Sequence, residues 1–121
     1  MLIGSYNVRI YRFSKSGIKN TYAVSLIRPT SIRSLTGGSK KVTVKWTKQT
    51  SNATGYQLQY SLKKNLGQDK KMRITSLSQT SKVVKNLKAK KTYYFRIRTY
   101  KYSGGYYYSV WSAKKSVKTR N

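Results

Sequence analysis

The sequence predicts an all-β protein built as an antiparallel sandwich. Apolar and polar residues alternate through several short segments, and turn-forming clusters break the chain between them. No segment joins helical spacing to capping residues. Together these observations point to packed sheets of short strands.

The elements follow in chain order. "GSYNVRIYRF" and "IKNTYAVSLI" read as two strands joined by "SKSG". Pro29, the only proline, divides the chain just after them. A lone hairpin is marginal in water, so residues 1–28 are expected to pair with something beyond themselves. Residues 30–120 hold seven strand candidates, enough to close a sandwich. "KVTVKW" places Val42, Val44 and Trp46 on one face, and "GYQLQY" does the same with Tyr56, Leu58 and Tyr60. "YYFRIRTY" sets Tyr93, Phe95, Ile97 and Thr99 against Tyr94, Arg96, Arg98 and Tyr100. Breaks fall at "TGGSKK", "TSNATG", "SLSQTS" and "YSGGY". The expected division is an N-terminal β-hairpin, residues 1–28, and a seven-stranded domain, residues 29–121.

Composition narrows the chemistry. Among 121 residues there are 27 Lys and Arg, a single acid (Asp69), no His and no Cys. Carboxylate pairs, Ser–His–Asp relays, Cys nucleophiles and thiolate metal sites all need residues that this inventory lacks. The expectation is a protein that is not an enzyme, with no metal and no cofactor. No apolar run approaches a membrane span, so membrane insertion is not expected. The first residues alternate and carry arginines where an export signal has its apolar centre. Export information is therefore expected upstream of this segment, or the protein stays inside the cell.

Three features of residues 30–120 together resemble a fibronectin type III domain. Trp46 stands in "KVTVKWTK", followed by the strand "GYQLQYS". "NLKAKKTYYFRIRTYK" is similar to the family's corner, in which a leucine precedes by six residues a tyrosine whose hydroxyl bonds back to the backbone. "YSVWS" lies near the last strand. The resemblance implies a seven-stranded antiparallel sandwich, with Leu87 in the leucine place and Tyr93 as the corner tyrosine. Where the family has Pro-Gly after that leucine, this chain has Ala89 and Lys90. The lysine-rich style resembles modules in surface proteins of Gram-positive gut bacteria, and the N-terminal hairpin is similar to the closing strands of a preceding immunoglobulin-like repeat. The implied setting is a tandem, secreted, cell-wall-associated array with neighbouring modules of the same chain as partners.

"YSVWS" is also similar to the Trp-Ser-X-Trp-Ser box of class I cytokine receptors, with Tyr108 in the first aromatic place. That resemblance implies a structural ladder in which Trp111 stacks between Arg96 and Arg98. Tyr102, Tyr106 and Tyr107 are placed on the loop before it. They are candidates either for recognition or for covering a junction with the N-terminal hairpin.

The net charge of +26 draws polyanions without naming one. The fibronectin resemblance puts three turns at one end of the domain, carrying Lys40 and Lys41, Lys63 and Lys64, and Lys88, Lys90 and Lys91. The opposite end carries the neutral and aromatic turns. A spacer or adhesion module touching an anionic polymer, teichoic acid or an acidic glycan, is the leading reading, and lysine suits loose point-charge attraction. A nucleic-acid binder using the lysines and exposed tyrosines is the rival. A charge-engineered sandwich is a third, since the chain has no glutamate.

Overall fold

The computed structural model describes residues 27–50 and 52–121. The hairpin expected within residues 1–28 lies outside the described residues, apart from its last two positions. Eight strands and no helix make up the described part: β1 (Ile32–Gly38), β2 (Lys41–Trp46), β3 (Gly55–Ser61), β4 (Lys70–Ile74), β5 (Ser81–Val84), β6 (Thr92–Tyr102), β7 (Tyr106–Tyr108) and β8 (Lys115–Lys118). One sheet has the order β1-β2-β5; the other has the order β4-β3-β6-β7, with β8 also paired to β6. All these pairings are antiparallel.

The eighth strand arises because the last strand is split. Tyr106–Tyr108 pairs with the far end of β6, and Lys115–Lys118 pairs with its beginning. The segment between them is tied to β6 by two serines. Ser109 N–H donates to Thr99 O at 3.0 Å, and its Oγ accepts from Thr99 N–H at 3.0 Å. Ser112 repeats the pattern on Ile97, at 2.8 and 3.0 Å. The two serines of "SVWS" thus replace ladder bonds while Trp111 turns outward between them.

The alternating residues form the core. Val42, Val44, Trp46, Tyr56, Leu58, Phe95 and Ile97 are all buried, with Val84, Ile74 and Ile32 closing around them. Trp46 packs on Tyr56 with ring centroids 5.4 Å apart, and the Tyr56 hydroxyl donates to Leu77 O at 2.7 Å. Burying each such side chain contributes about 1.5–3 kcal/mol, which is what fixes the strand faces.

The two sides of the sandwich differ. On one, β1 lies hard against β8: a Cβ added at Gly37 would sit 2.2 Å from Lys118 O. Ser39 and Arg120 form a parallel bridge there, and Arg120 N–H donates to Gly38 O at 2.7 Å. On the other, the edge strands β4 and β5 stand apart and leave an open groove of about 690 Å³.

Candidate functional site

The basic end is assembled by backbone, not by side-chain pairing. The two-residue turn between β1 and β2 brings Lys40 O to Leu87 N–H at 3.0 Å and Lys40 N–H to Arg120 O at 3.3 Å. Thr119, buried, accepts from Lys91 N–H through Oγ1 at 3.1 Å. The Tyr93 hydroxyl accepts from Lys88 N–H at 2.8 Å and pins the β5–β6 turn over buried Leu87. Lys40, Lys41, Lys88, Lys90 and Lys91 therefore lie on mutually bonded segments beside the strand end that carries Lys118 and Arg120. Lys63 and Lys64 sit in the β3–β4 connection, where Lys64 O accepts from Lys114 Nζ at 2.7 Å. All seven of the singled-out lysines are exposed.

Two of these lysines occupy left-handed backbone. Lys40 has φ 55° and Lys90 φ 57°. An L-residue pays about 1–2 kcal/mol there, and glycine pays essentially nothing. Lys90 keeps a glycine conformation at the place where the family resemblance implies glycine.

The outer face of the larger sheet is organised differently. Register aligns two rows across three strands: Lys71, Gln59 and Arg96, and then Arg73, Gln57 and Arg98. Gln57 and Gln59 are buried beneath this face, and their Oε1 atoms accept from Arg98 Nε and Arg96 Nε. Asp69, the sole acid, accepts from Gln59 Nε2 at 2.7 Å and pairs with Lys71 at 2.9 Å. The hydrogen bonds from Lys71 and then Gln59 hold its carboxyl below the usual carboxylate range. Above the rows, Trp111 lies 4.3 Å from the Arg96 guanidinium and 4.1 Å from that of Arg98, and Arg98 covers Tyr108 at 3.6 Å. Burial lowers the Arg98 pKa from its ordinary value, with Arg96 and Arg73 adding to the effect against an opposing pull from Tyr108.

Arg73 extends the stack. Its guanidinium sits 4.1 Å from the Tyr106 ring and 5.2 Å from Tyr100, and it donates to the Tyr108 hydroxyl at 3.3 Å. Tyr100 points outward yet is only 2% exposed, because these neighbours cover it. The tyrosines expected on a loop lie on strands instead: Tyr102 ends β6, and Tyr106 and Tyr107 begin β7, leaving Ser103–Gly105 as the turn. Pairing of Tyr102 with Tyr106 and of Lys101 with Tyr107 extends the ladder that far. Strand alternation then separates them. Tyr102 and Tyr106 share the outer face, with rings 4.9 Å apart, while Tyr107 belongs to the other face. That other face also carries Thr99, whose hydroxyl donates to Arg28 O where the chain enters.

Gln57, Gln59 and Arg73 were not singled out from sequence, and neither the bonds of the two serines in the box nor the contacts of Asp69 were read there. Outward polar residues on a strand read as solvated, and only register shows which cation each glutamine serves. Among the described residues, no three His, Cys, Asp or Glu side chains gather as a metal site, and no helix is long and apolar enough to cross a membrane.

Two antiparallel sheets, a corner tyrosine and a split last strand under an arginine–aromatic stack define a β-sandwich module. The chain belongs to the fibronectin type III family: the model of the fibronectin type III domain matches residues 28–115. Among solved structures, the FN1–FN3 domains of chicken CNTN1 are similar at 24% identity and TM-score 0.64, covering 77% of this chain and 32% of that one. This chain therefore spans less than two thirds of that protein's length. The fibronectin domain of the human collagen alpha-1(XX) chain is similar at 19% identity and TM-score 0.57, over 74% of this chain and 84% of that one. A β-1,2-glucanase from Parabacteroides distasonis is 13% identical at TM-score 0.66, over 81% of this chain and 13% of the enzyme. At these identities the likeness is one of fold. No curated protein matches the chain.

Proposed function

We propose that the chain is a non-catalytic spacer and adhesion module of a bacterial cell-surface protein, and that its basic end contacts an anionic polymer such as teichoic acid or an acidic glycan. Lys90 carries this reading. It holds a cation where glycine would cost the fold about 1–2 kcal/mol less, and Lys40 repeats the arrangement on the adjoining turn. Among the described residues Asn52, Leu66, Gln68 and Asn86 also take positive φ, but only Lys40 and Lys90 place a charge there. The only carboxylate side chain is engaged by Lys71 and Gln59, so the end lysines face solvent without acidic partners from this chain.

The test is binding to teichoic acid and to duplex DNA in parallel, from about 50 to 300 mM salt. If about six phosphates are neutralised on DNA, log affinity falls with a slope near −5 against log salt. Lys90→Gly is expected to raise stability by about 1 kcal/mol while weakening polymer binding. Binding that is unchanged in Lys90→Gly and in a Lys40→Gln, Lys88→Gln, Lys91→Gln variant would sink the proposal. Preference for DNA at every salt would favour a nucleic-acid role.

A further inference from the structure

Register decides what faces the open side of the sandwich. Lys70 and Met72 lie opposite Tyr60 and Leu58, and Lys82 and Val84 lie opposite Val44 and Val42. Those four partners belong to the core, and residues directly opposite share a face, so both lysines point inward with Met72 and Val84. The groove between β4 and β5 therefore has a lysine from each wall beside an apolar floor of Tyr60, Leu62, Met72, Val84 and Leu87. No acidic residue lines it, and the one carboxylate side chain of the protein is engaged by Lys71 and Gln59. Its volume of about 690 Å³ is that of a site for one small molecule.

We infer that this groove binds a single anionic amphiphile, a molecule with one alkyl chain and a phosphate head. Cation and apolar side chain stand on the same face of each edge strand, so the ligand needs its charge next to its apolar part. A free phosphate polymer would neutralise the lysines and leave Leu62 and Met72 in water. A neutral alkyl chain would cover the floor and leave the ammonium groups beside it without a counter-charge. Lysine suits such a head, because a point charge on a flexible stem follows a phosphate without a fixed geometry, and the stem adds apolar cover. Inward lysines also guard edge strands against pairing, but guarding needs neither an apolar floor nor a second lysine from the facing wall. Lys63 and Lys88 line the groove and belong to the basic end as well. The inference goes beyond the polymer reading because it rests on Lys70, Lys82 and the floor, which that reading does not use.

The experiment uses the full ¹⁵N-labelled chain and octyl phosphate below its micelle-forming concentration. Amide shifts give the location and the affinity, and the far-ultraviolet spectrum confirms that each protein stays folded. The shifts are expected to gather on β4, β5 and residues 60–62. Glycerol phosphate, which has the head without the chain, is expected to bind at least about tenfold more weakly, since burying about two methylene groups supplies that factor. Octyl glucoside, which has the chain without the charge, is expected to be weaker as well. Lys70→Gln with Lys82→Gln should weaken octyl phosphate about tenfold, as for two partly exposed charge pairs. Met72→Gln and Leu62→Gln, the latter at an exposed position, should weaken it and leave teichoic acid binding unchanged. Lys40→Gln with Lys90→Gln should do the reverse. The inference is overturned if glycerol phosphate or octyl glucoside binds as tightly, or if neither apolar substitution weakens octyl phosphate. It is equally overturned if the Lys40 and Lys90 pair matters as much as Lys70 and Lys82, or if the groove amides shift only with micelles or anionic vesicles. Failure of the parent protein to bind teichoic acid would count against the polymer reading alone.

Discussion

The arginine–aromatic face and the lysine end carry the same sign of charge and treat it in opposite ways. On the face, each cation is held: Arg96 and Arg98 by glutamines beneath and Trp111 above, and Arg73 by Tyr106 and the Tyr108 hydroxyl. At the end, the backbone is held and the lysine side chains are left to solvent. Guanidinium is planar and weakly hydrated, so it stacks and bonds at a fixed place; ammonium is a hydrated point charge on a flexible stem. The residue type thus separates charge held within the fold from charge left to solvent. Substitutions on the face should alter stability, and substitutions of lysine side chains at the end should alter binding.

The largest expected effect tests the backbone half of that contrast. Gly37→Ala drives a Cβ against Lys118 O, so β1 and β8 must separate and the bonds joining Gly38 to Arg120 go with them. The cost is expected to be about 3 kcal/mol, at the upper end for overpacking, and urea unfolding reads it directly. A midpoint equal to the parent's would mean that the closed side does not hold the lysine end together.

Trp111→Ala comes next. It removes two guanidinium contacts and the cover over the split in the last strand, at an expected cost of about 2 kcal/mol. A double-mutant cycle with Arg98→Ala isolates the contact itself; a coupling of about 0.5–1 kcal/mol is expected. Zero coupling would make the stack incidental and remove the difference between the two regions. Tyr93→Phe lies where the regions meet, because its ring is in the core while its hydroxyl serves the lysine turn. Losing the bond from Lys88 N–H should cost about 1–1.5 kcal/mol in the unfolding midpoint.

How much of this was legible depends on the range of the interaction. The inward rows of β2, β3 and β6 are readable because alternation is local and burial enforces it. Arg96 and Arg98 fall outward by the same alternation, and Trp111 is joined to them through the resemblance to the Trp-Ser-X-Trp-Ser box. Their anchors could not be read, since Gln57 and Gln59 meet the arginines across roughly forty residues of chain through register alone. Tyr102, Tyr106 and Tyr107 read as loop because Gly104 and Gly105 sit among them, yet only the turn itself needs glycine: Gly104 has φ 68°. The groove had no local signal at all. It exists because β1 and β8 close one side while β4 and β5 part on the other.

Asp69 gives the smallest effect and the sharpest comparison, since it is the only acid through which the face can titrate. Its folded pKa is depressed, so its contribution is present above the unfolded value and lost as pH falls through the folded one. Because Lys71 and Gln59 provide the depression, the lost interaction is the one that steadies Arg96 through Gln59. Most proteins lose many paired carboxylates on acidification, whereas this one has a single side chain to lose. Stability is therefore expected to be nearly flat from pH 7 to about pH 5, with a shallow decline only below about pH 4. Asp69→Asn keeps a hydrogen-bonding partner for Gln59 and should remove the side-chain part of that decline, as read by urea midpoints across the acid range. If the slope in Asp69→Asn equals the parent's, Asp69 does not anchor the glutamine row, and the arginine face is held by its stacking and its own glutamine bonds without the carboxylate.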